Sequence, residues 1–356
     1  MGIRLAQNGS AFPEPSDLEP SDIASVMKLL AVLLACVLAC PLSAHAQQEP
    51  IVIRFSHVVA SDTPKGKAAI RFKQLAEQAT QGRVRVHVYP NSELYRDREE
   101  LEALQLGAVE MIAPSLSKFG PLGVREFEVF DLPFLFPDEA ALHRITSGPI
   151  GMGMLQRLRI KGVVGLAFWD NGFKSFSANR PLDMPSDLSG LRMRIQPSRV
   201  LDAQMRALGA QPMTMRFGEV YAALEAGVVD GTENPPSNFY TQDMQDVQSH
   251  FTVTNHGYLG YAVIVNRKFW EGLPSDIREA LEEAMAEATR YAASIAREEN
   301  ERALAAIRAS GKTQIHVLTD AERGAWEKAL APVGVEMEGL IGAQLVADIR
   351  RAIEAR

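Results

Sequence analysis

Cationic side chains and one amide in the middle of the chain have the chemistry of an anion site. Arg194 belongs to the run LRMRIQ (residues 191–196), whose alternation predicts a short strand with Arg192 on the same face. An arginine on a rigid strand can offer a carboxylate two parallel N–H donors. Asn234 precedes two prolines at a predicted helix start, where free backbone N–H groups favour an anion, and Lys174 is a second candidate cation. Together they predict a site for a small organic acid.

Each of these side chains also has an ordinary structural explanation. A strand arginine such as Arg194 can be a solvated surface residue, and Asn234 can be a simple turn residue. Trp169 and Tyr258 stand at predicted crossings between domains. For these two aromatic residues core packing is the default, and the wall of a ligand cleft is the alternative.

Motifs of enzymes are largely missing from the sequence. Ser115, Ser117 and Lys118 lie in PSLSK, which matches the S-x-x-K motif, but the companion motifs of that hydrolase class do not follow. Neither G-x-S-x-G nor a phosphate-binding loop occurs, and His250 and His256 are not at ligand spacing for a metal. We therefore predict no catalysis, no metal and no cofactor. The serines follow a predicted strand, so they are candidates for the lining of a binding cleft.

Residues 1–46 have the pattern of a targeting segment. The run LLAVLLACVLACPLSAHA after Met27 is apolar, too short to span a membrane, and ends in an A-x-A site. This pattern predicts a signal peptide that starts at Met27 and is cleaved after Ala46. The alternative is a lipoprotein cut before Cys40, which the residues ahead of Cys40 fit poorly.

The mature chain would contain no cysteine, because both cysteines of the 356 residues lie in that segment. The full chain carries a net charge of −7, and this acidity argues against nucleic acid and anionic membranes as partners. No later run reaches the roughly 18 apolar residues of a membrane helix. A secreted, soluble protein is the expectation.

Strand and helix patterns alternate along the mature chain, which predicts an α/β fold with a mostly parallel sheet. The segment FEVFDLPFLF (127–136) predicts a packed loop. Residues 274–310 contain neither Gly nor Pro after Pro274 and predict one helix of about 50 Å, long enough to cross two domains. The predicted strands lie at residues 51–57, 83–89, 111–113, 162–169, 191–196, 252–254, 258–266 and 313–318.

Nearly the whole mature chain resembles the substrate-binding proteins of tripartite ATP-independent periplasmic (TRAP) transporters. The most specific segment is MRIQPSRVLDAQMRALGAQPMTMRFGEVYAALEAGVVDGTENPP, and LAFWDNGFKSFSANRPL and HGYLGYAVIVNRKFW are also similar. Within that family the chain is most similar to the DctP branch, the C4-dicarboxylate type.

The resemblance implies a two-domain periplasmic-binding-protein (Venus flytrap) fold with a long helix across the hinge. The expected domains are 47–171 plus 260–299 and 172–259 plus 300–356. It also implies a carboxylate held by Arg194 with Asn234 alongside. Many relatives have arginine where this chain has Lys174, and a lysine keeps the charge but loses the bidentate fork.

The sequence therefore predicts a receptor for a small dicarboxylate such as succinate, fumarate or malate. Arg194 would clamp one carboxylate, Lys174 would neutralise the other and Asn234 would fix the orientation. Ser115, Ser117, Trp169 and Tyr258 complete the expected lining. The receptor would be a monomer that delivers its ligand to small (DctQ-type) and large (DctM-type) membrane subunits. The alternatives are a receptor for a sugar, keto or aromatic acid, a periplasmic serine/lysine hydrolase, and a partner of a signalling receptor.

Overall fold

The structure, a computed structural model, describes residues 49–354 and, ahead of them, Met27 and Ala31. The predicted cleavage after Ala46 and the alternative at Cys40 lie outside the described residues. None of the helices in the described part of the chain combines the length and the apolarity needed to cross a membrane.

A single mixed sheet is the frame of residues 49–354. Its strands follow the order β2-β1-β3-β8-β4-β7-β5-β6, and β9 pairs with β8. The strands are β1 (Ile51–Ser56), β2 (Val84–Tyr89), β3 (Met111–Ile112), β4 (Val163–Ala178), β5 (Arg192–Ile195), β6 (Gln211–Thr214), β7 (Gly231–Asn234), β8 (His250–Asn266) and β9 (Gln314–Val317).

The sheet has two parallel sides joined by an antiparallel centre. β1 pairs in parallel with β2 and β3, and β5 pairs in parallel with β6 and β7. Between these two sides, β4 and β8 run antiparallel to each other, β8 runs antiparallel to β3 and β4 to β7, and β9 pairs in parallel with the start of β8. The α/β class is confirmed. The expectation of a mostly parallel sheet holds within each side and is wrong for the two strands that connect them.

The two central strands are longer than predicted: β4 continues beyond residue 169, where the predicted strand ends, and β8 joins the predicted strands 252–254 and 258–266 into one. β4 and β8 pair over nearly their full lengths, with register shifts at three points. One shift lies between Asp170 and Gly172, where Gly172 has a φ of +149°. Residues that carry a side chain rarely adopt that backbone conformation. Glycine therefore lets the strand bend where it passes from one side of the sheet to the other.

Helices cover both faces of the sheet. The first half of the segment FEVFDLPFLF (127–136) belongs to a 3₁₀ helix at Arg125–Asp131. The segment packs in the core and forms no strand, as predicted. The α-helices are α1 (Pro64–Ala79), α2 (Asp97–Leu106), α3 (Glu139–Thr146), α4 (Pro149–Arg157), α5 (Arg199–Ala207), α6 (Val220–Glu225), α7 (Pro236–Tyr240), α8 (Arg267–Glu271), α9 (Ser275–Ser310), α10 (Asp320–Ile341) and α11 (Ala343–Glu354).

Helix α9 contacts both sides of the sheet, and its predicted extent is confirmed. Its 36 residues span about 54 Å. On the β1–β3 side, Glu299 pairs with Lys67 of α1 at 2.5 Å. One residue further on, Asn300 accepts a hydrogen bond from the Ser237 backbone N–H of α7 at 3.0 Å. Asn300 also donates to the carbonyl of Asn171 at 2.5 Å, so α9 joins both sides beside the bend in β4.

Three apolar clusters form the core, and burial of their side chains is the main favourable contribution to folding. The first lies under β1–β3 and α9, the second under the segment 125–136 and α10, and the third beside β7 and the start of β8. Representative members are Phe55, Phe72, Trp169 and Leu281 in the first, Phe127, Phe130, Leu201 and Trp326 in the second, and Phe217, Phe239 and Phe251 in the third.

Candidate ligand-binding site

A cleft separates the β1–β3 side from the β5–β7 side of the sheet. The outer part of this space (the outer cleft) has a volume of about 720 Å³, within the range of small-molecule sites. Behind it lies an inner cavity of about 20 Å³, large enough for about one water molecule. The residues that line both are Asp97, Lys118, Arg194 and Gln196.

Arg194 is the buried cation that β5 contributes to both cavities. Its side chain is only 3% exposed, and its Nε and Nη2 both donate to the carbonyl oxygen of Met215, at 3.1 and 2.9 Å. No carboxylate of residues 49–354 lies within ion-pair distance of its guanidinium. Burial lowers the pKa of Arg194, although the charges of Asp97 and Glu233 oppose that shift. The site therefore presents a desolvated guanidinium with unused N–H donors.

Arg192, two residues earlier on the same strand, has a different environment. Its side chain is 40% exposed and pairs with Asp230 of the neighbouring turn at 2.7 Å. The second N–H of the fork reaches the same carboxylate at 3.0 Å. Arg192 is therefore satisfied at the surface, and only Arg194 reaches the cavity.

The opposite wall comes from the turn after β3 and from the start of α2. Lys118 is 6% exposed and donates to Glu100 at 3.0 Å, and it also contacts Asp97. Burial works to raise the pKa of Asp97, but the charge and hydrogen bond of Lys118, the Phe217 N–H and the charge of Arg194 together lower it to about 2. Asp97 also accepts a hydrogen bond from the backbone N–H of Phe217, which belongs to the β5–β7 side. A carboxylate of one side is thus bonded to the backbone of the other.

Neutral polar groups complete the inner cavity. Ser115 donates across the cleft to Gln196, which follows β5. Asn234 lies at the end of β7, and its amide donates to Thr232 Oγ1 at 3.3 Å. The predicted helix start two residues later is confirmed, since α7 begins at Pro236. Asn238 of α7 donates to the Tyr261 hydroxyl at 3.4 Å. The inner cavity is therefore lined by hydrogen-bonding groups and also by apolar side chains, those of Val58, Val59, Phe217 and Leu259.

Lys174 does not line either cavity. Its side chain is 1% exposed and lies 2.9 Å from Glu233 Oε1 and 3.7 Å from Asp131 Oδ1. His256 contacts the other oxygen of Glu233 at 2.8 Å. Ser117 belongs to the same buried cluster, since it donates to Asp131 Oδ1 at 2.7 Å. These two predicted contacts therefore lie in the protein interior, paired with protein carboxylates.

The two aromatic residues of the predicted lining also lie elsewhere. Trp169 is fully buried in the first core cluster, and its indole N–H donates to Thr289 Oγ1 of α9 at 3.0 Å. Tyr258 packs among Phe130, Phe136 and Phe173, and its hydroxyl donates to Asp170 at 2.5 Å. Both have the core role that is the default for a buried aromatic residue.

Three of the seven predicted contacts, Arg194, Asn234 and Ser115, come together at the inner cavity. The sequence reasoning missed Asp97, Gln196 and the cavity-lining position of Lys118. A signal for the last was present, because Lys118 follows Ser115 in the loop after β3, where ligands bind in open α/β sheets. Among the described residues, no cluster of His, Cys, Asp or Glu has the grouping that would hold a metal ion.

Comparison with known proteins places the chain in a family. The model of the DctP family, described as "Bacterial extracellular solute-binding protein, family 7", matches residues 55–339. A C4-dicarboxylate-binding periplasmic protein DctP of Rhodobacter capsulatus is 62% identical over 322 residues, covering 90% of this chain and 97% of that protein.

Two solved structures are also similar to this chain. A TRAP periplasmic solute-binding protein from Shewanella oneidensis, with bound succinate, aligns with a TM-score of 0.83 at 42% identity, over 85% of this chain and 99% of its own. A TRAP protein from Pseudomonas aeruginosa, with bound L-malate, aligns with a TM-score of 0.79 at 44% identity, over 81% and 100%. The chain belongs to the DctP family of bacterial extracellular solute-binding proteins, which are substrate-binding receptors of TRAP transporters and not enzymes.

Proposed function

We propose that this protein is a periplasmic receptor that captures a C4-dicarboxylate such as succinate, fumarate or malate and delivers it to a TRAP membrane transporter. The observation that carries the proposal is Arg194: a guanidinium buried at a cavity, with no carboxylate of residues 49–354 within ion-pair distance. Leaving a charge buried without a partner is costly, and a ligand carboxylate would relieve that cost through a bidentate contact.

The ligand class is supported by the relatives together with the lining. The Rhodobacter relative is a C4-dicarboxylate-binding protein, and the two solved structures hold succinate and L-malate. Asn234 and Ser115 line the inner cavity with Arg194, so a small acid held by Arg194 in the outer cleft would have their amide and hydroxyl groups at its inner end. We keep these three residues as the proposed contacts and withdraw Ser117, Trp169, Tyr258 and Lys174 from the proposed lining, because none of them lines either cavity.

Capture would stabilise the closed arrangement of two domains. The proposed domains are residues 47–171 plus 260–299 and residues 172–259 plus 300–356. The Ser115–Gln196 and Asp97–Phe217 hydrogen bonds cross between the β1–β3 and β5–β7 sides. A ligand that touches both sides would add its own bridge to these contacts, and the closed form would be the one that the membrane subunits recognise. A small DctQ-type and a large DctM-type subunit are the proposed partners of a monomeric receptor.

The hydrolase alternative is weakened by the environment of its base. A general base must be neutral to accept a proton, yet Lys118 contacts two carboxylates that raise its pKa above the ordinary value. The hydroxyl of Ser115 donates to Gln196 and not to Lys118. The remaining alternative is a receptor for another organic acid.

A thermal-shift screen of the mature chain tests the proposal against that alternative. Succinate, fumarate and malate would be compared with sugar acids, keto acids and aromatic acids at matched concentration. At 100 times its dissociation constant a ligand adds about 2.7 kcal/mol to the free energy of unfolding. We expect the C4-dicarboxylates to give the largest shifts. A larger shift with a sugar, keto or aromatic acid, and none with the diacids, would replace the proposed ligand.

A further inference from the structure

Among the cations of residues 49–354, Lys118 and Arg194 are the two that line both the outer cleft and the inner cavity. They come from opposite sides of the sheet, Lys118 from the turn after β3 and Arg194 from β5. A ligand with a carboxylate at each end of a short chain requires such a pair, one cation for each end. Lys174, the residue that sequence reasoning offered for the second carboxylate, has its own buried carboxylate partners and no face on the cleft.

The ammonium of Lys118 has one donor more than its protein partners use. A lysine carries three N–H groups. One donates to Glu100 and a second contacts Asp97. Within residues 49–354 no further acceptor lies within hydrogen-bond distance of Lys118 Nζ. Since Lys118 also lines the outer cleft, which has a volume suited to a small molecule, the third N–H is available to a ligand there.

We propose that Lys118 recognises the second carboxylate of the ligand and thereby selects diacids over acids with a single carboxylate. This inference rests on the proposed function, because it assigns a partner to one end of a dicarboxylate whose other end Arg194 binds. The two acidic neighbours, Asp97 and Glu100, hold the ammonium at the cavity wall. A point charge fixed in this way distinguishes a carboxylate from a neutral group of the same shape.

The charges around Lys118 allow it to bind an additional anion. Lys65 is fully buried nearby, donates to the carbonyl of Ala113 at 3.0 Å and lies 3.7 Å from the centre of the Tyr261 ring. Its charge acts on Glu100, whose Oε2 has no hydrogen-bond partner in the described part of the chain. Burial lowers the pKa of Lys65 to about 7, so Lys65 is only partly charged at neutral pH, and burial also raises the pKa of Glu100. The cations that line the cavity are Lys118 and Arg194, and Asp97, with a pKa of about 2, is the carboxylate beside them.

The test compares succinate with succinamate, which replaces one carboxylate by an amide of nearly the same shape. Calorimetry on the wild-type chain should show that succinate binds about tenfold or more tightly than succinamate, as expected for a charge-assisted hydrogen bond. In the Lys118→Met variant the two ligands should bind within about threefold of each other, chiefly because succinate weakens. Lys65→Met is the matched control: it removes a buried lysine beside the same Glu100 but does not line either cavity, so the preference for succinate should remain.

A second pair of variants covers the case in which Lys118→Met does not fold. Lys118→Gln replaces the ammonium by a neutral amide that can still donate a hydrogen bond to Glu100 or Asp97, whereas Lys118→Arg keeps the positive charge. The glutamine variant should lose the succinate preference and the arginine variant should retain it.

The outcomes separate the two proposals. A wild-type chain that binds no C4-dicarboxylate overturns the proposed function. A wild-type chain that prefers succinate, with a folded Lys118 variant that keeps the same preference or loses both ligands equally, overturns only the role of Lys118.

Discussion

Lys174 Nζ lies 2.9 Å from Glu233 Oε1, and both side chains are 1% exposed. The lysine therefore neutralises a carboxylate of β7 in the interior. Burial works to raise the pKa of Glu233, but Lys174 together with His256 lowers it to about 2. The cation that sequence reasoning placed on the ligand is, in the structure, an element of the fold.

Replacing Lys174 by Met should lower the free energy of unfolding by about 3–5 kcal/mol, because Glu233 and Asp131 would lose their buried cation. Urea unfolding followed by circular dichroism measures this change. Arg206→Ala is the control: its partner Asp202 is exposed on the same helix, and loss of that pair should have little effect. If the variant folds, its preference for succinate over succinamate should equal that of the wild type. A stable variant that no longer prefers succinate over succinamate would show that Lys174 contributes to ligand recognition.

Gly172→Ala should destabilise the protein by about 1–3 kcal/mol, since Gly172 has a φ of +149° that other residues rarely adopt. A Cβ atom there would lie 2.6 Å from Asn300 Nδ2, the group that donates to the Asn171 carbonyl. Urea unfolding compares this variant with Gly324→Ala in α10. A Cβ at Gly324 meets no atom within 4 Å, so alanine should stabilise that helix by about 0.5–1 kcal/mol. Equal stability of the Gly172 variant and the wild type would contradict the bend described for β4.

The pair His143–Asp170 should make stability depend on pH near neutrality. Hydrogen bonding to Asp170 raises the pKa of His143 above its ordinary value of 6.5. The folded state thus binds the proton more tightly than the unfolded state. This contribution is fully present below pH 6.5 and is lost as the pH rises through the folded-state pKa. Melting temperatures of the wild type and His143→Gln should therefore differ most below pH 6.5 and converge as the pH rises through the raised folded-state pKa of His143. A difference that is constant across this range would show that the pair does not titrate there.

Much of the architecture follows from local sequence patterns. Helix α9 was predicted within one residue of its observed bounds because no Gly or Pro interrupts residues 275–310. The alternation in RVRVHVY predicted β2, and its inward residues Val84 and Val86 are fully buried. These elements are encoded by periodicity over a continuous stretch, which is the strongest signal that a sequence contains.

The features that were predicted wrongly depend on contacts between residues that are distant in the sequence. Asp170, Asn171 and Gly172 have the composition of a turn, yet β4 continues through them because β8 pairs with both flanks. The same limit affected the site. Lys174 and Lys118 are equally good cations in the sequence, and only the fold brings Glu233 to the first and the cavity to the second. The family resemblance, more than the residue pattern, singled out Arg194, and the structure places it at the cavity; its contact with a ligand stays a prediction.

Calorimetric titration of succinate into the wild type, Arg194→Met and Arg192→Met tests the central claim most directly. The two arginines belong to one strand, but Arg192 pairs with Asp230 at the surface whereas Arg194 is buried at the cavity. The account predicts that Arg194→Met folds and binds succinate about a hundredfold or more weakly, while Arg192→Met binds within about threefold of the wild type. An Arg194→Met protein that binds succinate as tightly as the wild type would contradict it.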